Sequence, residues 1–237
     1  MRIGLFSDVH GNLAALDAFV ADLERHPVDR LVCLGDVIQG GPQPVECLAR
    51  LRSLDCSVVL GNADWYVLSG DPGVEPETDA QREVREWTFE QLSEADRKYV
   101  RSFTPTVDEP PLLGFHASPG SFEDVILPST PEEDFRRLLG EPDARILAGG
   151  HTHQQFLRRR GGSTFVNPGS VGLSYDYALL PDAVRFDPWA AWAVVELDDG
   201  GSTSIDFRRA PFDREQVVAA IGASTLPDKS RVEGWRA

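Results

Sequence analysis

The chain has 237 residues, 41% hydrophobic and 26% charged, with 23 Lys+Arg against 38 Asp+Glu and a net charge of -15 at pH 7. That is globular composition, long enough to bury a sizeable core without staples, and it excludes disordered, collagen-like and small disulfide-scaffold chains. An acidic surface repels polyanions, so a nucleic-acid polymer is not expected as a partner. The one dense basic patch, Arg158-Arg159-Arg160, precedes Gly161-Gly162 and reads as an exposed hairpin strand. No apolar run approaches the roughly 18 residues of a membrane span. The N-terminus enters an apolar strand without a basic leader, so the chain reads as soluble and cytoplasmic, with no membrane partner. Cys33, Cys47 and Cys56 are an odd set and read as free, buried thiols.

In chain order, residues 2–6 form an apolar strand and Asn12 opens a helix whose Leu13, Leu16, Phe19, Val20 and Leu23 repeat at helical spacing. The unit recurs: strand 30–34, loop 35–44, helix 45–54, then strand 57–60 followed by Gly61-Asn62. Two β-loop-α units and a third strand imply a parallel sheet with right-handed crossovers. Residues 80–103 read as two helices broken at Leu92-Ser93, where Ser93 and Asp96 make an N-terminal box. Short strands follow at 112–115, 145–148, 156–160, 163–166, 190–197 and 203–209. Gly161-Gly162 and Asp198-Asp199-Gly200-Gly201 serve as hairpin turns. Helices are expected at 128–139 and 213–221, and the polar 227–237 tail is expected to be loosely held. With no Pro/Ser-rich linker, the pattern suits two sheets packed face to face under outer helices. The expected domain spans 1–237, with a helical cap-like segment around 65–110.

Four of the five histidines fall beside strand ends, where ligand sites form in parallel sheets. Asp8 and His10 follow the first strand, and residues two apart on an extended segment point the same way, so both can converge on one ion. Asp36 follows the second strand, too far upstream of the next helix to cap it. Asn62 follows the third and can add a neutral oxygen ligand. His116 follows strand 112–115; His151 and His153 follow strand 145–148, at the Asp8/His10 spacing. These seven donors are too many for one tetrahedral ion and suit two ions sharing a carboxylate. Such a pair clamps a phosphoryl oxygen and lowers the pKa of water. Oxygen and nitrogen donors without thiolate favour Mn, with Fe, Zn, Ni or Co as alternatives.

Taken in order, Asp8-x-His10, Gly35-Asp36-(x)4-Gly41-Pro42, Gly61-Asn62-x-Asp64, His116, Gly149-x-His151-x-His153 and Asn167-Pro168-Gly169-Ser170 resemble the calcineurin-like metallophosphoesterase superfamily. The nearest branch is that of the small YfcE-like phosphodiesterases. The resemblance implies an α/β fold, a four-layer αββα sandwich of two mixed sheets, and hydrolysis by a hydroxide activated at a dinuclear site. It assigns one ion to Asp8, His10, Asp36 and His153 and the other to Asp36, Asn62, His116 and His151, with Asp36 as the bridge. Asp36 and Asn62 thereby enter the catalytic set. Asp64 either supports the ligands from behind or caps the next helix. Asn12, directly after His10-Gly11, is a substrate-phosphate contact or a helix cap.

Two departures bear on function. The family's histidine after the asparagine, thought to protonate the leaving group, is Ala63 here, so the leaving group must be good or another donor must serve. The Asp-Arg-Gly that gives related protein phosphatases a phosphate-binding arginine is replaced by Val37-Ile38-Gln39-Gly40-Gly41-Pro42. That disfavours phosphoprotein and favours a small phosphodiester. The alternatives are a dinucleoside polyphosphate or nucleotide hydrolase, a phosphomonoesterase, and a non-catalytic scaffold like the related retromer subunit, which has no use for seven intact ligands. Trp65, Tyr66, Tyr175 and Tyr177 are aromatic candidates for base stacking or simple packing, with packing favoured. Neither the substrate's identity nor the oligomeric state is legible.

Overall fold

The computed structural model describes residues 1–73, 77–175, 185–198, 200 and 202–236. Its first half builds β1 (Arg2–Phe6), α1 (Leu13–Arg25), β2 (Arg30–Cys33), α2 (Pro44–Arg52) and β3 (Ser57–Val58). There follow α3 (Asn62–Ser69), α4 (Asp79–Gln91), α5 (Glu94–Val100), β4 (Thr106–Glu109), β5 (Leu112–Phe115), α6 (Glu132–Leu139) and β6 (Ile146–Ala148). The chain closes with β7 (Gln155–Arg160), β8 (Ser163–Pro168), β9 (Trp189–Leu197), β10 (Thr203–Pro211), α7 (Arg214–Ala223) and α8 (Arg231–Arg236).

The strands form two five-stranded mixed sheets, ordered β10-β9-β1-β2-β3 and β4-β5-β6-β8-β7. In the first, β1, β2 and β3 are parallel and β9 and β10 return antiparallel. In the second, β5, β6 and β8 are parallel between antiparallel edges β4 and β7. The period-two alternation of a strand sorts the side chains into layers. Ile3, Leu5, Val32 and Leu34 meet Leu112, Ile146, Ala148 and Val166 between the sheets. Phe6, Leu31 and Cys33 face outward, under Leu16, Phe19 and Leu48 of α1 and α2. On the far side α6 lays Phe135 and Leu139 over Leu147 and Phe165. Each fully buried Leu, Ile, Val or Phe side chain among these contributes about 1.5–3 kcal/mol. This is the four-layer α/β sandwich expected from the motif order.

Local chemistry sets the element ends. Asn12 accepts from Ala15 N and starts α1, and Ser93 and Asp96 form the reciprocal box that starts α5. The basic patch lies on edge strand β7, as expected, with Arg158 paired to Glu132 and Arg160 to Glu141. The three cysteines are free, Cys33 and Cys47 buried and Cys56 half-buried. Among the described residues no helix is long and apolar enough to cross a membrane.

Several expectations change. The third strand stops at Val58, where Val59 makes a single bridge to Thr104, and α6 starts at Glu132 because Pro131 stands before it. The segment around 65–110 holds α4 and α5, but its end, β4, is an edge strand of the second sheet. The tail is not loosely held: 231–236 is helical, and Trp235, 2% exposed, packs on Phe186 at 4.9 Å and Phe212 at 5.7 Å. One aromatic in a polar run was enough to dock it. Asp199 and Gly201 of the expected last hairpin, and Tyr177, lie outside the described residues.

Candidate metal centre

The loops that leave β1, β2, β5 and β6, together with the first turn of α3 after β3, meet at one end of the two sheets. They bring the seven expected donors together. Asp8, His10 and His153 form one group and Asp36, His116 and His151 a second, with the donor atoms of each within 4.8 Å of one another. Asn62 joins the second, its Oδ1 lying 2.8 Å from His116 Nε2 and 3.1 Å from His151 Nδ1. Asp36 stands between them: its Oδ2 is 3.7 Å from His10 Nε2 and 3.5 Å from His116 Nε2.

The backbone achieves this differently from the extended geometry expected. Asp8, His10, Asp36, His151 and His153 all take positive φ, between 49° and 66°, and they are the only non-glycine residues to do so among those described. Left-handed backbone costs an L-residue about 1–3 kcal/mol. Five such residues in one cluster mean that the fold bends each loop sharply to aim a donor inward. His151 and His153 point to different groups, the division that the family resemblance implies.

Hydrogen bonds settle which ring atoms face the centre. His10 Nδ1 lies 2.7 Å from Gln39 O, His116 Nδ1 2.7 Å from Leu34 O, and His153 Nδ1 2.7 Å from Leu173 O. A carbonyl only accepts, so each Nδ1 carries a proton and each Nε2 faces inward, as a lone pair on neutral His10 and, on His116, once a cation takes the place of its Nε2 proton. His10 Nε2 and His153 Nε2 are 3.1 Å apart, and Asp8 Oδ1 is 3.3 Å from the latter. Among the described residues nothing donates a hydrogen bond to the buried Asp8 Oδ1. Acceptors converging without donors form a cation site, and the residues present fit divalent ions.

The electrostatics agree. Burial raises the Asp36 carboxyl, but His116, His10 and His151 outweigh it and hold it far below the usual range. Burial likewise opposes, and His153 and His116 prevail, in keeping Asp8 ionised. Burial lowers His10 and His151 to about 4, leaving both rings neutral at pH 7. Burial also opposes protonation of His116, but Asp36 and Asp8 carry it up to about 9. A cation at the second group therefore displaces a proton there.

The residues behind the donors hold them in place. Asp36 Oδ1 accepts from Ala63 N at 2.9 Å, which leaves Oδ2 for the centre. Gly61 permits that contact, since a Cβ there would lie 2.1 Å from Asp36 Oδ1. Asp64, fully buried, accepts from Val37 N at 2.9 Å and Ile38 N at 3.1 Å and closes the capping box of α3 through Gly61 N. Its carboxyl is pushed up to about 7 by burial and by the Asp36 charge. Asn12 caps α1 with Oδ1, and its amide donates to Gly172 O at 2.9 Å, tying two site loops together. Asn167 donates to Gly150 O at 2.7 Å and Thr152 Oγ1 at 3.0 Å, and Ser170 donates to Asp8 O at 2.8 Å.

The centre opens into a cleft of about 810 Å³, within the usual range for small-molecule sites. Ala63 lines it where a proton donor was sought. Tyr66, hydrogen-bonded to Glu123, lines its wall, Tyr175 lines it edge-on to His153 at 5.2 Å while packing on Phe186 of the core, and Trp65 is 42% exposed. Helix α3 was missed in the sequence, although Gly61, Asp64 at the third helical position and left-handed Gly70 are its start and stop signals. Arg231, which also lines the cleft, had no sequence signal.

The calcineurin-like phosphoesterase superfamily domain matches residues 1–183. The chain is 27% identical over 239 residues to an uncharacterized protein of Methanocaldococcus jannaschii, covering 95% of this chain and 94% of that one. It superposes on the crystal structure of a metallophosphoesterase from Sphaerobacter thermophilus with a TM-score of 0.78 and 26% identity, over 100% of this chain and 99% of the other. A 77-residue stretch, 31% of this chain and 27% of the relative, is 40% identical to a symmetrical bis(5'-nucleosyl)-tetraphosphatase of Pectobacterium atrosepticum. Because the domain match runs through every one of the seven donors and the fold is shared end to end with a metallophosphoesterase, the chain belongs to the calcineurin-like phosphoesterase superfamily and is a hydrolase of phosphoester bonds.

Proposed function

We propose that the protein is a metal-dependent phosphodiesterase acting on small phosphodiesters, with Asp8, His10, Asp36 and His153 holding one divalent ion and Asp36, Asn62, His116 and His151 a second. The observation that carries this reading is Asp36 Oδ2, buried between two histidine groups at 3.7 Å and 3.5 Å, with its other oxygen committed to Ala63 N. Two ions so held supply Lewis acidity to a phosphoryl oxygen and acidify water. Manganese suits the mixed oxygen and nitrogen donors, with Fe, Zn, Ni or Co as substitutes.

The chain's own residues narrow the substrate. Among the described residues, Asp36, Glu123, Asp228 and Glu77, the last paired with Arg85, line the cleft with one guanidinium, that of Arg231. An acidic cleft repels the second charge of a phosphomonoester dianion more than it does a diester monoanion, which supports the diester. The Ala63 methyl supplies no proton, which supports a leaving group that departs as an anion, such as an aryl oxide or a phosphate. The carbonyl partners of His10, His116 and His153 hold each Nε2 toward the centre.

Protein loaded with Mn or Ni is expected to hydrolyse a bis-aryl phosphate. Asp36→Asn and His116→Ala should each lower kcat/KM by more than the roughly 10–100-fold that loss of a supporting residue costs. Undiminished activity in both variants refutes the reading, and a protein that binds no metal and turns over no phosphoester is a scaffold. The second reading, cleavage of a dinucleoside polyphosphate, draws on the stretch shared with the Pectobacterium enzyme. Turnover of diadenosine tetraphosphate against the diester, under one metal, decides between them.

A further inference from the structure

The loop after Asp36 carries no arginine, yet the structure brings one to it from the opposite end of the chain. Arg231 opens α8, and its Nη1 donates to Gly40 O at 3.0 Å. Gly40 has φ 114°, and a Cβ there would lie 2.6 Å from Nη1, so only glycine admits the guanidinium this close. The neighbouring carbonyl, Gln39 O, is the one that orients His10. Arg231 thus stands beside His10 in the cleft wall, and its charge is felt by that imidazole.

Three features separate this arginine from an ordinary structural one. It forms no ion pair with any described carboxylate, although Asp228 acts on it at longer range. One of its five N–H groups is used, by Gly40 O, and the rest are uncommitted among the described residues. It is the only Lys or Arg among the described residues lining a cleft that also carries Asp36, Glu77, Glu123 and Asp228. A desolvated guanidinium without a carboxylate partner is costly unless an anion completes it. Helix α8 cannot drift to find one, because Trp235 is buried on Phe186 and Phe212, and Phe186 N donates to Gly234 O at 3.0 Å.

We propose that Arg231 is the phosphate-binding residue of this site, its guanidinium taking a non-bridging phosphoryl oxygen of the substrate on the His10–His153 side. The proposal rests on the phosphoesterase reading above. The arginine that related protein phosphatases carry in this loop has its counterpart here in one delivered by the C-terminal helix, so the phosphate grip and the docking of the tail are a single structural element.

The test is binding of inorganic phosphate to the Mn-loaded protein by calorimetry, beside KM and kcat for a bis-aryl phosphate. Arg231→Gln is expected to weaken phosphate binding and raise KM by about tenfold or more, the loss of one charge-assisted contact, with bound metal unchanged. Arg231→Lys, which keeps the charge but not the fork, should fall between. Phosphate affinity and KM within twofold of wild type in both variants overturn the proposal. If the glutamine variant does not fold, the wild type itself decides. Modification of Arg231 by an arginine-specific dicarbonyl, followed by peptide mass spectrometry, should be slowed by phosphate, and equal rates with and without phosphate overturn it. If phosphate binds through Arg231 but no phosphoester is hydrolysed, the enzymatic reading fails and the anion site stands.

Discussion

His10 Nε2 and His153 Nε2 face each other at 3.1 Å, each ring held by a hydrogen bond from its own Nδ1 to a backbone carbonyl. Two lone pairs at that distance repel unless a cation lies against both, and Asp8 Oδ1, without a donor among the described residues, closes the same triangle. A divalent ion would take both nitrogens and the carboxylate oxygen as ligands. An ion at about 100 times its dissociation constant adds roughly 2.7 kcal/mol to stability. For a chain of this size that raises the melting temperature by about 5–10 °C. Thermal unfolding with Mn and with excess chelator should show that gain, and His10→Ala and His153→Ala should each lose much of it. No difference between wild type and variants counts against a cation in this group.

Asp64 works through backbone. Its carboxylate receives Val37 N and Ile38 N, so the chain just after Asp36 is pinned to the first turn of α3, which itself donates Ala63 N to Asp36. Asp64→Ala leaves three buried N–H groups, those of Val37, Ile38 and Gly61, without their acceptor, at about 1–3 kcal/mol each. It should lower the melting temperature and weaken metal affinity about 10–100-fold, as removal of a residue orienting a ligand does. Asp64→Asn keeps an acceptor for Val37 and Ile38 but turns its amide toward Gly61 N, and should be milder on both counts. Metal titration of the two variants checks the order.

The sequence carried the layers and the donors because both rest on strong local signals: alternating apolar strands, strand-end acids and histidines, and caps such as Asn12 and Ser93. It misled on how the donors converge. Asp-x-His reads as an extended pair on one face, but Asp8, His10, His151 and His153 are left-handed, a state set by tertiary hydrogen bonds such as His10 N to Asp36 O. The split of His151 from His153 is the one the motif order implied through the family resemblance, although their spacing of two by itself does not encode it. Arg231 was illegible. A lone arginine in a polar tail has no pattern, and only the burial of Trp235 four residues on brings it to Gly40.

Ala63 makes a kinetic prediction. Its methyl lines the cleft while its N–H is spent on Asp36, so nothing at this position can protonate a departing oxygen. Across a series of aryl phosphodiesters kcat/KM should fall steeply as the leaving-group pKa rises. Ala63→His restores a titratable donor at that place and should flatten the slope, helping alkyl esters most; general acid catalysis contributes about 10²–10⁴-fold where it operates. A shallow slope in the wild type would mean that another donor already serves.

Away from the centre, Asp22 sets an acid limit on the fold. Only 6% exposed, it accepts from Trp192 Nε1 at 3.0 Å, Arg208 Nε at 2.9 Å and Arg25 Nη2 at 2.9 Å, which ties α1 to β9 and β10. Burial raises its pKa, but the bonds from Arg208 and Trp192 outweigh burial, and the folded value lies below the ordinary one. A depressed carboxyl stabilises the fold above its unfolded pKa of about 3.9 and loses that contribution as pH falls through the folded value. Asp22→Asn turns an amide N–H toward Arg208 and should cost about 1–3 kcal/mol at pH 7, or some 2–4 °C per kcal/mol. Below about pH 4 the unfolded chain takes up the proton first, so the gap between the two melting temperatures should hold at pH 5 and narrow as the pH falls from about 4 toward the folded value. A gap that stays constant over that range would show that the ionised carboxylate is not what joins the helix to the sheet.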